Sequence, residues 1–279
     1  MGYPPRKPHV SPSQLDMYFR CGEQYRRRYI NREVIPPGIA LVKGSAVHKA
    51  AEVNFAQKIE TREDLPLEQL QGAAEEHIDV MIAKDGLFLP PEQASIGMQK
   101  VLGDAKDRTQ GMVRALRMEI APRIQPAMTE KFIRIPLPKH THDLLGRLDL
   151  ATEDRRVKDL KTSSKRKYQD EVDRSDQLTF YHMAYEYETG APPAGIDLEV
   201  IVETKVPSVQ SLTSQRTMDD RKVLLHRINA MIAGVQAGTF LPAAPGSWIC
   251  SPRFCGFYGS CGFINSERKA AAEANAALL

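Results

Sequence analysis

The chain has 279 residues, of which 42% are hydrophobic and 26% charged, and its 38 Lys and Arg against 35 Asp and Glu leave a formal net charge of +3. This is enough to bury a substantial core, in the range of one domain with appended lobes, and the small basic excess is only a mild pointer toward acidic partners. No 18-residue apolar run and no signal-peptide core occur, and Arg6 breaks the myristoylation pattern after Met1-Gly2, which excludes a membrane span and predicts a soluble protein with reduced thiols.

Residues 11–30, SPSQLDMYFRCGEQYRRRYI, open with a capping-box start at Ser11, Pro12 and Gln14, and Leu15, Tyr18, Tyr25 and Tyr29 recur at helical spacing. An amphipathic helix is expected. Arg20, Arg26, Arg27 and Arg28 surround its later turns; cations interleaved with tyrosines suit a nucleic acid backbone and its bases, and equally form the solvated face of an ordinary helix. In the next segment, GSAVHKAAE at 44–52, Val47, Ala50, Ala51 and Phe55 mark a buried helical face. His48 on that face reads either as a hydrogen-bonded core residue or as a ligand. Residues 62–125 are expected to be mostly helical, with Leu67, Leu70, Ala74, Ile78 and Ile82 in one amphipathic stretch and Val101 to Ile120 in another. They would form a lobe over the active centre.

Within Met128 to Leu137, TEKFIRIPL reads as a strand leading into a hairpin. There Leu144, Leu148 and Leu150 alternate with Arg147 and Asp149, Glu153-Asp154-Arg155 forms a polar turn, and a second strand starts near Arg156. Val157, Asp159 and Lys161 share a face of that strand. Asp149, Asp159 and Lys161 thus fall in the order D-x9-D-x-K across the hairpin. Two carboxylates on neighbouring strands can converge on a hard divalent cation, and a lysine beside them can reach a phosphate or an attacking water, an arrangement suited to phosphodiester hydrolysis. A solvated charged face is the alternative. A helix from about Arg174 to Glu188 follows, with Gln177 and Tyr181 on one side; a core-packing role for that side is equally open. Then come a strand over Ile196 to Lys205, a helix over 217–237 and an alanine-rich tail from Ser266 to Leu279.

The four cysteines fall in two places, Cys21 near the start and Cys250, Cys255 and Cys261 near the end. The C-x4-C-x5-C spacing differs from the paired C-x2-C knuckles of a zinc ribbon, and no nearby His completes a mixed zinc site. Prolines, glycines and Trp248 around them indicate an irregular, ligand-held lobe.

Five segments together resemble the RecB-like, AddB-like branch of the PD-(D/E)XK nuclease superfamily, which includes phage exonucleases and CRISPR-associated exonucleases: the opening helix with Cys21, GSAVHKAAE, the hairpin with Gly146, Asp149, Asp159, Lys161 and Thr162, QLTFY at 177–181, and CSPRFCGFYGSC. The resemblance implies an α/β fold, a mixed central sheet flanked by helices. It divides one nuclease domain, 1–279, into an N-terminal helix (1–43), a helical lobe (44–125), a catalytic core (126–237) and a cysteine-rich lobe and tail (238–279). It implies a divalent-metal-dependent DNA exonuclease acting on single strands or free ends in recombination, repair or phage replication, or else a DNA-processing subunit of a recombination or CRISPR-adaptation complex. Asp149, Asp159 and Lys161 would be catalytic and leave a 5′-phosphate. His48, Asp149, Asp159 and the Leu160 carbonyl would hold Mg2+ or Mn2+, and Gln177 and Tyr181 would position substrate. Cys21, Cys250, Cys255 and Cys261 would hold a [4Fe-4S] cluster; zinc stays open because the first gap is longer than the family's usual one, and so do free or disulfide-bonded thiols. The setting implied is the cytoplasm of a bacterium or a phage-infected host cell.

Overall fold

The computed structural model describes residues 7–137 and 140–270; the Met1-Gly2 terminus and residues 271–279 of the expected tail lie outside them. After a short strand β1 (His9–Val10), helix α1 (Pro12–Arg20) starts as its sequence predicts, with Ser11 Oγ accepting from the Gln14 N–H and the Gln14 side chain accepting from the Ser11 N–H. The single helix expected over 11–30 is broken at Cys21. Its extended backbone caps a separate helix α2 (Gly22–Tyr25), with Sγ accepting from the Gln24 N–H at 3.4 Å, and Arg26–Ile30 continues as a π-helical stretch. The tyrosine periodicity runs through the break, so it conceals a sulfur standing where Ser or Asp usually caps.

Helices α3 (Ile39–Thr61), α4 (Leu67–Asp85), α5 (Pro91–Ala94) and α6 (Met98–Ala115), the last prolonged by π-helical Leu116–Ile120, make the expected helical region. Fully buried Ala46, Ala50 and Ala74 lie between α3 and α4, where small side chains allow close packing.

The sheet is built from β1, β2 (Pro126–Ile135), β3 (Asp143–Thr152), β4 (Arg156–Ser163), β5 (Gly195–Val202) and β6 (Ser208–Ser214), in the order β1-β3-β4-β5-β6 with β2 on the other edge of β3. It is mixed: β4 and β5 are parallel, and β2–β3, β3–β4 and β5–β6 are antiparallel. The crossover between β4 and β5 carries α7 (Gln169–Asp173) and α8 (Asp176–Thr189), and α9 (Met218–Gln236) follows β6. β5, GIDLEVIV, is buried at every position, as a strand covered on both faces must be. One face of the sheet packs on α1, α8 and α9 through Leu15, Leu148, Leu178, Leu198 and Leu224; the other packs on α3, α4 and α6 through Val47, Leu70, Met112, Leu150 and Leu160. β6, SVQSLTS, was not anticipated, because a half-exposed polar edge strand lacks the apolar alternation that marks a strand in sequence. No described helix is long and apolar enough to cross a membrane.

Candidate active site

The hairpin of β3 and β4 has its polar turn at Glu153–Arg155, where Arg155 takes a left-handed φ of 61°. The two strands pair only at Leu150↔Lys158 and Ala151↔Val157. Beyond those pairs they part, and the Asp149 carboxylate occupies the opening: Oδ2 accepts from the Leu160 N–H at 3.1 Å in place of a ladder partner. Asp159, on the face of β4 shared with Val157, is 1% exposed, and its Oδ1 accepts from Lys161 Nζ at 2.9 Å.

Two further elements reach the same opening. α3 carries His48 against it, with Nδ1 3.6 Å from Asp149 Oδ2. On the other side of β3, the β2 register pairs Thr129 with Leu150 and Lys131 with Leu148, which puts Glu130 opposite Asp149. Ligand atoms of His48, Glu130 and Asp149 all lie within 4.8 Å of one another. Glu130 has a left-handed φ of 50°, an unusual backbone for a non-glycine residue in a strand and one found disproportionately at functional sites. Arg147 Nε is 2.7 Å from Glu130 Oε2, though not in hydrogen-bond alignment. Sequence reasoning missed Glu130; the signal was an acidic residue inside TEKFIRIPL, the strand preceding the hairpin, which only the register aligns with Asp149.

Burial and like charge dominate the electrostatics. Burial, then the neighbouring charge of Asp149, pushes Asp159 up to about 6 against the pull of Lys161. Burial also raises Asp149, with Lys161 opposing. Burial and Asp149 together push Glu130 up to about 7. His48 is pushed down to about 4, by burial first and by the Lys161 charge second, so its imidazole is neutral at pH 7. Burial works against the Lys161 ammonium too, but Asp159 and Asp149 outweigh it and its net shift is upward. Three carboxyl groups, all pushed toward their protonated forms, and one neutral imidazole therefore crowd one site.

Gly146, on β3, lets α8 sit against the sheet: a Cβ there would lie 2.3 Å from the Phe180 ring. α8 in turn carries Gln177, whose Nε2 donates to the Tyr181 hydroxyl at 2.8 Å. Tyr181 is buried and packs in the core with Leu178, Ala184 and Tyr185, and burial and the charges of Asp159 and Asp149 raise its hydroxyl pKa.

Cys21 and the distant trio Cys250, Cys255 and Cys261 line one cavity of about 490 Å³ between α2 and the C-terminal lobe. No disulfide joins any of them. Burial, then the neighbouring Cys261 and Cys21, raises Cys250. Gly22 lets the segments meet, since a Cβ there would lie 2.7 Å from the Leu241 backbone nitrogen. Arg27 ties them further, with Nη2 donating to Ser260 Oγ at 2.9 Å and its guanidinium 4.5 Å from the Phe257 ring centroid.

In comparison with known families, the family model of the PD-(D/E)XK nuclease superfamily matches residues 9–262. No curated protein matches by sequence. Among solved structures, a candidate exonuclease from Eubacterium rectale superposes with a TM-score of 0.60 at 12% identity, covering 92% of this chain and 90% of that one, a likeness in fold. The structure of SSO0001 superposes at 0.43 with 14% identity over 94% of this chain and 89% of that one, too distantly to carry an argument.

Proposed function

The chain belongs to the PD-(D/E)XK nuclease superfamily, and from that premise we propose that it is a divalent-metal-dependent DNA exonuclease of the RecB-like branch, acting on single strands or free ends in recombination, repair or phage replication. The observation that carries the reading is the approach of His48, Glu130 and Asp149 within 4.8 Å, beside the hydrogen-bonded Asp159–Lys161 pair. A soluble, cytoplasmic enzyme fits the lack of a membrane-crossing helix among the described residues.

The residues fit a hard cation. Carboxylate oxygens with a single neutral imidazole suit Mg2+ or Mn2+ better than softer metals. Asp159 Oδ2 and Glu130 Oε2 are buried without hydrogen-bond partners among the described residues, and a cation would satisfy such acceptors. His48, Asp149, Asp159 and the Leu160 carbonyl are the ligands assigned here, with Glu130 in reach. When bound, the ion supplies Lewis-acid polarisation of the scissile phosphate and eases deprotonation of the attacking water. Lys161, charged and steered by Asp159, orients that water and stabilises charge growing on the phosphoryl oxygens, leaving a 5′-phosphate. Gln177, whose side chain donates to the Tyr181 hydroxyl, and Tyr181 are the residues assigned to position substrate.

Cys21, Cys250, Cys255 and Cys261, which line one cavity, are assigned to a [4Fe-4S] cluster, with a structural zinc site as the alternative.

Digestion of end-labelled single-stranded, linear duplex and closed circular DNA in Mg2+, Mn2+ and EDTA tests the activity. Metal-dependent shortening of strands with ends, sparing the circle, is expected. Rapid nicking of the circle would make the protein an endonuclease, and no cleavage of any DNA with either metal would overturn the reading.

A further inference from the structure

Along the β2–β3 ribbon, the cross-strand pair Phe132↔Arg147 lies two steps from Glu130 and Asp149, with Lys131↔Leu148 between them. Arg147 Nε lies 2.7 Å from Glu130 Oε2, so the two pairs share a face, opposite Lys131, which pairs with Glu188 of α8 at 3.0 Å. Phe132 is 68% exposed, one of the most exposed aromatic side chains among the described residues. Its ring is covered by the Arg147 guanidinium, 5.7 Å from the centroid. Arg147 is half-exposed, its Nε reaches Glu130, and its charge acts on Asp149 and His48 as well. An apolar ring held open to solvent beside a cation, two strand steps from three converging metal-ligand candidates, has no packing role to explain it.

We propose that Phe132 and Arg147 form a substrate platform: Phe132 stacks on the base of the nucleotide adjoining the scissile phosphate, and Arg147 engages that nucleotide's phosphate. Stacking needs a base with a free face, so the platform selects an unpaired strand or a frayed end over intact duplex. It takes any base, because each offers a π-face, while the guanidinium reads only the backbone. This inference rests on the nuclease reading and gives that site its substrate class.

The test uses the full chain, a labelled mixed-sequence single-stranded oligonucleotide, and a set of the same oligonucleotide with one abasic residue moved through it. Phe132→Ala is expected to raise KM for single strands about five- to a hundredfold, the range for loss of one stacked base, with kcat nearly unchanged because stacking holds ground and transition states alike. Phe132→Trp restores KM. At one abasic position the wild type loses as much as Phe132→Ala does, and the variant loses no more there, since the two changes remove one interaction. Arg147→Lys weakens binding of normal and abasic strands alike. Wild-type KM in Phe132→Ala, or additive losses at every abasic position, would overturn the platform while leaving the nuclease intact. A wild type that cuts nothing, or a metal-dependent activity that survives in Asp159→Ala, would instead bring down the underlying reading. An unchanged melting temperature in Phe132→Ala shows that the fold is not what changed.

Discussion

Asp159 is almost wholly enclosed, yet one of its oxygens has no hydrogen-bond partner, and Lys161 holds the other. A structural ion pair rarely leaves an oxygen so placed. Asp159→Ala and Lys161→Ala are each expected to cut DNA at least about a hundredfold more slowly, roughly 2.7 kcal/mol of transition-state stabilisation, with circular dichroism unchanged. His48→Ala should act more selectively, raising the Mg2+ or Mn2+ needed for half activity; an unchanged metal titration would return His48 to the helix core. Protonation supplies a separate check. Glu130 rises from an ordinary 4.5 to about 7 in the folded protein, so the fold holds that proton more tightly than the unfolded chain. Its contribution to stability is fully present below about 4.5 and lost as pH rises through about 7. His48, lowered from 6.5 to about 4, runs the other way: its contribution is present above 6.5 and lost as pH falls through about 4. In EDTA, the melting-temperature advantage of wild type over Glu130→Gln should therefore shrink as pH rises across 4.5 to 7. An advantage that stays constant or grows would mean that Glu130 is already ionised in the fold. Metal affinity should climb over the same interval, because the cation competes with that proton.

At the scale of elements, the site is a strand pair that stops pairing. Two ladder pairs hold β3 to β4 at the turn, and α8 braces the outer face of β3 where Phe180 crosses Gly146. Gly146→Ala drives a methyl into that ring, so a loss of about 1–3 kcal/mol by overpacking is expected, with cleavage falling further than stability alone predicts as β3 shifts Asp149. Thermal melts and kcat/KM measured together check this; a variant as stable and active as wild type would mean that α8 gives way freely. The hairpin was legible because Leu144 and Leu148 announce a half-buried strand, but the alternation breaks at Asp149: Leu150, expected on their face, packs on the opposite one with Leu160. α3 and α8 were legible through Val47, Ala50, Phe55 and the Gln177–Tyr181 spacing. Glu130 was not, because its role comes from register across β2 and β3, and register is a tertiary fact that local periodicity does not carry. β6 escaped for a related reason: its polar side chains tolerate an edge position that only the neighbouring β5 creates.

On the scale of the whole molecule, the chain is closed on itself near its two ends. The Tyr18 hydroxyl donates to the Thr239 carbonyl at 2.9 Å, Tyr25 stacks on Phe240 with centroids 6.2 Å apart, and the cavity lined by Cys21, Cys250, Cys255 and Cys261 sits beside these contacts. About 230 residues separate Cys21 from Cys250, so thiolate ligation of one prosthetic group would remove a large loop entropy from the unfolded chain. The opening between β3 and β4 proposed as the active site is built from other elements, so a cluster held by the cysteines would govern stability first and cleavage only through it. Anaerobically purified protein is expected to be brown, with broad absorbance near about 400 nm and about four irons per chain, as all-thiolate cluster ligation requires. Cys21→Ala should bleach it, lower the melting temperature and speed proteolysis at both ends, because losing one thiolate frees α2 and the C-terminal lobe together. Stoichiometric zinc without iron would replace the cluster with a structural zinc site. A metal-free protein as stable as its Cys21→Ala variant would leave the four thiols as mere neighbours, with α1 and α2 held to the C-terminal lobe by contacts such as those of Tyr18, Tyr25, Arg27 and Phe240.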